Sequence, residues 1–435
     1  MLIYLRLDQD PEDSDWLMDQ KLSDFEIDSR RRVFWILNYS SKILRMCIGS
    51  EAMPHELKSK GVKPMHYDVG NHIFTLPLTP ETTSPVYYLC TLLDVTQKIA
   101  NQIILVPKSF KDLIKSSLFS SLKQELDLWL TSIPDSFFLT PKKLIDQLKG
   151  PERSGLIQLT MFYRVSVCVL HRPCFYLTGH LSLKSKLMTP DNMSLILEAM
   201  NASVSNALDI AALNSKLLSV TQFLDGGALE VHGKDWILLP PSYWKECIHI
   251  FFALFESSIV LWFFLTKTKP YWWKVYCFDS EEKEVAARTE ISEAVLSNLR
   301  ALRLLEAVLS NSSVMETTLT GARIEPARPK QNLVTPMVDC VTRLVQDMEG
   351  SAEERELVEL YRYIHFTSPK FLLPQNTITI EMDVLSVGKP SDPEKQRWGK
   401  EDPWVFMGLL GAEVKGTKWR APLENEWREF WRVGK

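Results

Sequence analysis

Leu170-His171-Arg172-Pro173-Cys174 gathers an imidazole, a guanidinium and a thiol within five residues. An arginine fork can hold a carboxylate or a free carbonyl, histidine can move a proton, and a cysteine with depressed pKa can attack. The element that must position these groups is an apolar stretch from about Ser154. Leu156, Leu159, Phe162, Tyr163, Val167 and Leu170 recur at three- and four-residue steps, which predicts one helix face. Proline lacks the ladder N–H and biases its predecessor out of the helical region. The helix is therefore expected to stop near Arg172, with His171 and Arg172 in its last turn, where cations complement the helix dipole. On this reading the motif is a helix stop and packing corner, not an active site.

Other candidates for chemistry are weaker. The seven cysteines (Cys47, Cys90, Cys168, Cys174, Cys247, Cys277, Cys340) are scattered, with no C-x-x-C pair, as expected of buried thiols in a reducing compartment. They do not form a zinc cluster, and no metal or other cofactor is expected in this chain. His55, His66 and His72 share a loop-like stretch with no cysteine or acidic partner at ligand spacing. G-x-S-x-G, P-loop, dinucleotide-binding and H-E-x-x-H patterns are absent. Gly226-Gly227 reads as a turn, and Glu281-Glu282 and Glu353-Glu354 sit in helix first turns, where the dipole accounts for them. Nothing selects one cysteine as half of a Cys–His pair, and no enzyme activity is expected.

The chain of 435 residues is long enough for a full core, with 45% hydrophobic and 24% charged residues. Its formal net charge of −4 and pI of about 6.1 give no electrostatic footprint for nucleic acid. DNA contact is expected only through a separate segment or a small local patch. The apolar run Met1–Leu7 passes at once into Asp8-Gln9-Asp10-Pro11-Glu12-Asp13, so no secretory signal is expected.

A second motif lies upstream. Arg30-Arg31-Arg32-Val33-Phe34-Trp35 leads towards Gly49. Ser23 with Glu26 forms a capping box, and Val33, Phe34, Leu37, Ile43, Leu44 and Ile48 are expected to make a broad apolar face. Between the two motifs, Leu126-Asp127-Leu128-Trp129-Leu130-Thr131-Ser132-Ile133-Pro134 reads as a Trp-bearing helix ending in a Ser-x-Pro turn. Together the three segments, in this order across residues 1–265, resemble the fungal-specific transcription factor domain. This is the middle regulatory region of fungal binuclear zinc-cluster regulators. The signature positions are Arg32, Phe34, Trp35, Trp129, Pro134, Leu170, His171, Arg172 and Pro173. Ser40-Ser41-Lys42 stands where the family carries an Asp-Arg pair, and Gly49 is followed by Ser50 and Glu51 instead of Arg-Pro.

The resemblance implies an all-α regulatory domain over residues 1–368, in the nucleus, with transcription machinery or co-regulators as partners. It also implies homodimerisation or response to a small-molecule effector, and control of a metabolic or secondary-metabolite gene set. Zinc would belong to an N-terminal cluster outside this chain, so the chain is expected to begin inside the usual domain. A stand-alone helical co-regulator without DNA binding is the alternative. A helical enzyme or a membrane-associated protein centred on residues 248–273 is a third reading.

Further helices are expected at 86–106, from there to about Leu130, from Asp191, from Asp279 to Asn311, and from Ser351. Loops are expected at 50–85, 134–153 and 312–336, and a short strand at Thr377–Met382. Ile248–Leu265 is an 18-residue apolar stretch followed by Tyr271-Trp272-Trp273, a layout close to a membrane span with an interfacial belt. His249, Glu256, Ser257 and Ser258 inside it, and the lack of a second such stretch, argue for a buried core helix instead. Residues 369–435 form a Pro/Trp-rich tail, expected to dock on the body or on a partner. Within it Glu401–Leu410, with Trp404, Phe406 and Leu409, resembles an acidic-hydrophobic activation segment. Trp427 and Trp431 share a helical spacing with Leu423 and Phe430.

Overall fold

The computed structural model describes residues 7–14, 17, 20–48, 61–66, 78–105, 117–140, 153–180, 188–220, 250–277, 280–319 and 334–348. Among these are nine α-helices: α1 (Asp24–Ile48), α2 (Pro85–Leu105), α3 (Ser117–Thr131), α4 (Arg153–His180), α5 (Pro190–Val220), α6 (Phe251–Thr266), α7 (Pro270–Tyr276), α8 (Glu281–Leu319) and α9 (Thr335–Met348). Short 3-10 turns cover Pro11–Asp13 and Asp135–Phe137. No strand occurs among the described residues, and His66 and Thr83 form an isolated antiparallel bridge. The class is all-α. The expected helix from Ser351, the strand at Thr377–Met382 and the tail with Trp404, Phe406, Leu409, Trp427 and Trp431 lie outside the described residues.

The helices pack in a chain of neighbours. α1 lies on α2, α2 on α3 and α4, and α4 on α5; α6 is enclosed by α4, α5, α8 and α9. One contiguous apolar cluster runs from Leu7 to Val345. At its centre every residue from Phe251 through Phe264 is buried. A helix apolar on all sides has no face to give to water, so it belongs in the middle of the bundle. Trp272 and Trp273 are buried too, and the Trp273 indole donates to the Phe264 carbonyl at 3.1 Å. They are core residues, not an interfacial belt. α6 and α7 meet at a 108° bend, and among the described residues no single helix is long and apolar enough to cross a membrane.

Local signals explain several starts. The Ser23 amide donates to Glu26 Oε2 at 2.8 Å, and the Glu26 amide returns to Ser23 Oγ at 3.4 Å, closing the expected capping box. Proline opens α2, α5 and α7 and is the second residue of α9, since its missing N–H is an orphan in a first turn anyway. Pro336 therefore marks the start of α9, not the interior of a loop. α8 runs on to Leu319, beyond the expected end at Asn311.

The expected stop at Arg172 is wrong. α4 continues through Pro173 to His180. An interior proline costs about 3 kcal/mol in a helix. The turn beyond it offsets that cost, because Cys174, Phe175, Tyr176 and Leu177 are all buried. Phe175 and Tyr176 meet Phe263 of α6 with ring centroids 5.0 and 4.5 Å apart. Arg172 is thus mid-helix and caps nothing. The face expected of α1 also needs correction: Phe34 and Ile43 are buried, whereas Val33 and Leu37 point outward.

Candidate functional site

The signature residues fall into two clusters on different elements. The first is built on α1. Arg31 grips the buried Asp10 with both prongs, Nε to Oδ2 at 2.8 Å and Nη2 to Oδ1 at 2.7 Å, and Nη2 also reaches Glu12 at 2.7 Å. Asp10 accepts the Lys63 amide at 2.8 Å as well, while Lys63 Nζ pairs with Glu12 at 2.7 Å. Burial alone would raise the Asp10 carboxyl, but Arg31 and the two backbone donors outweigh it and hold the group below the usual carboxylate range. The Lys63 ammonium and then Arg31 do the same for Glu12.

The next residue, Arg32, donates to Asp28 at 3.3 Å and to the His66 carbonyl at 3.0 Å. Asp28 in turn accepts the His66 amide at 2.8 Å and faces its Nδ1 at 2.9 Å. The Trp35 indole donates to the Lys63 carbonyl at 2.9 Å. Trp35 also packs edge-on against Phe34 and Tyr87, centroids 5.0 and 4.9 Å away. Gly61, at φ 84°, turns the chain into this bound segment. The Arg-Arg-x-x-Trp pattern of α1 therefore ties residues 7–14 and 61–66 to the bundle by charge-assisted bonds. Asp10, Glu12 and His66 were not legible as its partners, because each lies at least 19 residues away from the arginine or aspartate it meets.

The second cluster surrounds the motif in α4. The Arg172 side chain is 1% exposed and forms an ion pair with Glu256 of α6, also 1% exposed. Its guanidinium lies 5.8 Å from the Tyr176 ring centroid. Burial pushes the Glu256 carboxyl up and Arg172 pulls it back, with a net upward shift. Glu256 is the residue that spoke against a membrane span, and Arg172 is its answer within a helical core. His171 points the other way, edge-on to Phe119 of α3 at 5.2 Å. Burial lowers its pKa to about 4, so the imidazole is neutral near pH 7. Leu170 is buried beside it.

The remaining signature positions join α2, α3 and α4. The Trp129 indole donates to Thr91 Oγ1 at 3.0 Å and stacks on Tyr163 with centroids 5.8 Å apart. Pro134 leads into the turn Asp135–Phe137, where Phe137 meets Tyr88 at 5.9 Å. The Leu139 amide is satisfied by Thr160 Oγ1 at 3.0 Å, which brings part of the expected 134–153 loop into the core.

No family model, curated protein or solved structure matches this chain.

The arrangement is one of packing and charge satisfaction. Burial raises the thiols of Cys90 and Cys174 to about 12, and that of Cys168 further, so all three remain protonated and unreactive near neutral pH. Among the described residues, no three His, Cys, Asp or Glu side chains are placed to hold a metal ion. The centre of the bundle instead carries a polar seam. Asn298 of α8 donates to Ser257 Oγ of α6 at 3.1 Å, Ser257 donates to the Ala207 carbonyl of α5 at 2.8 Å, and Asn214 of α5 donates to the Ser297 carbonyl at 3.1 Å. With the Arg172–Glu256 pair, these bonds fix the register of four helices against one another.

Proposed function

We propose that this chain is the regulatory region of a transcription regulator of the fungal zinc-cluster type, acting in the nucleus on RNA polymerase II transcription of a metabolic or secondary-metabolite gene set. The observation that carries the reading is the ordered trio of Arg32-Val33-Phe34-Trp35, Trp129 to Pro134, and Leu170-His171-Arg172-Pro173. The all-α class agrees with it. Transcription machinery or co-regulators are the partners, with homodimerisation and a small-molecule effector as further elements of the reading. Regulation works by shifting helix packing and so the accessibility of an activation surface such as Glu401–Leu410. Zinc and base-specific contacts belong to a segment outside this chain.

A second reading, a helical co-regulator that acts through partners alone, is favoured by the net charge of −4 and by cysteines without cluster spacing. To test the first reading, the full chain is fused to an unrelated sequence-specific DNA-binding domain in a fungal reporter strain. A several-fold change in reporter transcription is expected, and an unchanged reporter with the fusion in the nucleus refutes it. An in-frame six-cysteine segment in the transcript upstream of Met1 separates the first reading from the second.

A further inference from the structure

α1 carries apolar residues on two sides. Its inward face buries Phe34, Trp35, Tyr39 and Ile43 among the paired Asp28, Arg31 and Lys42, and its outward face shows Val33, Ile36 and Leu37 at 46, 46 and 37% exposure. A surface helix ordinarily gives that outward face to polar residues. At about 100° per residue, the three apolar side chains span an arc of about 100°, with the small Ser29 and Ser40 between them. The result is a shallow apolar stripe just over one turn long, about 6 Å. Arg30 lies along one edge of it, and Arg32, held by Asp28 and His66, lies along the other.

We propose that the stripe is the docking site for the C-terminal segment Leu423–Trp431 of the same chain. In that segment Leu423, Trp427, Phe430 and Trp431 fall at i, i+4, i+7 and i+8, the spacing of a helix laid into a groove. On such a helix Glu424 and Glu426 border the apolar face on its two sides, Arg428 stands one turn beyond Glu424 on the same side, and Arg432 falls opposite. Arg30 offers a cation to one acidic edge of the segment, and the two indoles supply the apolar area that Val33, Ile36 and Leu37 lack. The last described helix ends at Met348, and residues 349–422 are long enough to bring the segment to any point of the bundle. Because the segment is tethered, docking is intramolecular, and a stripe too small for a stable separate complex suffices. This inference does not depend on the transcriptional reading.

The test is photo-crosslinking in the full-length protein with p-benzoylphenylalanine in place of Ile36, and separately in place of Leu37. Both positions are exposed, so the bundle tolerates them, and an unchanged melting temperature verifies this. Irradiation of a mixture of isotope-labelled and unlabelled protein, followed by mass spectrometry, is expected to give crosslinks to residues 423–431 within one chain. The combined substitution Trp427→Ala, Phe430→Ala and Trp431→Ala is expected to cut the yield at least tenfold. Crosslinks to another region, crosslinks between labelled and unlabelled chains, an unchanged yield in the triple variant, or no crosslink at all overturns the proposal.

Discussion

Arg172→Ala tests the centre of the bundle. The substitution leaves the Glu256 carboxyl inside α6 without its cation, at a site where both partners are almost completely excluded from water. Breaking a buried pair by removing one member costs about 3–5 kcal/mol, because the survivor cannot regain its hydration. The contact with the Tyr176 ring, at 5.8 Å, is lost as well. Unfolding entropy of about 2.1 cal/mol/K per residue gives the described residues about 0.5 kcal/mol/K, so the expected drop in melting temperature is about 6–10 °C. Calorimetry reads this directly, and Glu256→Ala should cause a loss of similar size. The double variant Arg172→Met with Glu256→Leu removes both charges and keeps the volume, and it should return to within about 2 kcal/mol of the native protein. A midpoint that moves by less than 1 °C in Arg172→Ala refutes the reasoning. So does a double variant whose loss equals the sum of the singles, since two residues that form a pair cannot be additive.

His171 makes the bundle acid-sensitive. Its folded pKa of about 4 lies below its ordinary 6.5, so the unfolded chain binds the proton more readily. The contribution is complete above pH 6.5 and declines as pH falls towards 4, by roughly 3 kcal/mol over that window. His171→Leu should flatten the fall in melting temperature between pH 7 and pH 4.5, and identical slopes in the two proteins count against this. Asp10→Asn should cost about 1.5–3 kcal/mol and speed hydrogen exchange at the Lys63 amide, which would lose its carboxylate acceptor. Because the folded Asp10 pKa is depressed, its contribution is present above the unfolded carboxylate pKa and is lost only as pH falls through the folded value. Unaltered exchange at Lys63 rejects the clamp. Trp35→Phe keeps the aromatic packing but removes the donor to the Lys63 carbonyl, and urea titration should show a loss of about 1 kcal/mol.

Local signals in the sequence carried far, and non-local ones did not. The Ser23–Glu26 box placed the start of α1, because both halves of that signal sit within four residues. The apolar run 248–265, interrupted by His249, Glu256, Ser257 and Ser258, led to a core helix from its own residues alone. Pro173 misled because the rule against an interior proline is local, whereas the packing of Phe175 and Tyr176 on Phe263 comes from a helix some 90 residues later. The two faces of α1 were exchanged in part because Arg31 and Lys42 find their partners in Asp10, the Cys90 carbonyl and Asp94, so charged side chains could go inward. Arg172 was recognisable as an arginine in need of a carboxylate, and Glu256 as a carboxylate in need of a cation. Nothing at a separation of 84 residues joined the two.

The all-round burial of α6 also constrains how the chain can be made. A ribosome delivers α1 to α5 before the helix around which α4 and α5 close. Until Thr266 has emerged, the surface formed by Phe162, Phe175 and Tyr176 has no cover. The first five helices therefore cannot settle as a finished unit ahead of the rest, and the nascent chain carries a sticky, half-lined trough through that interval. Fragments that end before Phe251 should depend on chaperones or aggregate, whatever their stretch of signature residues.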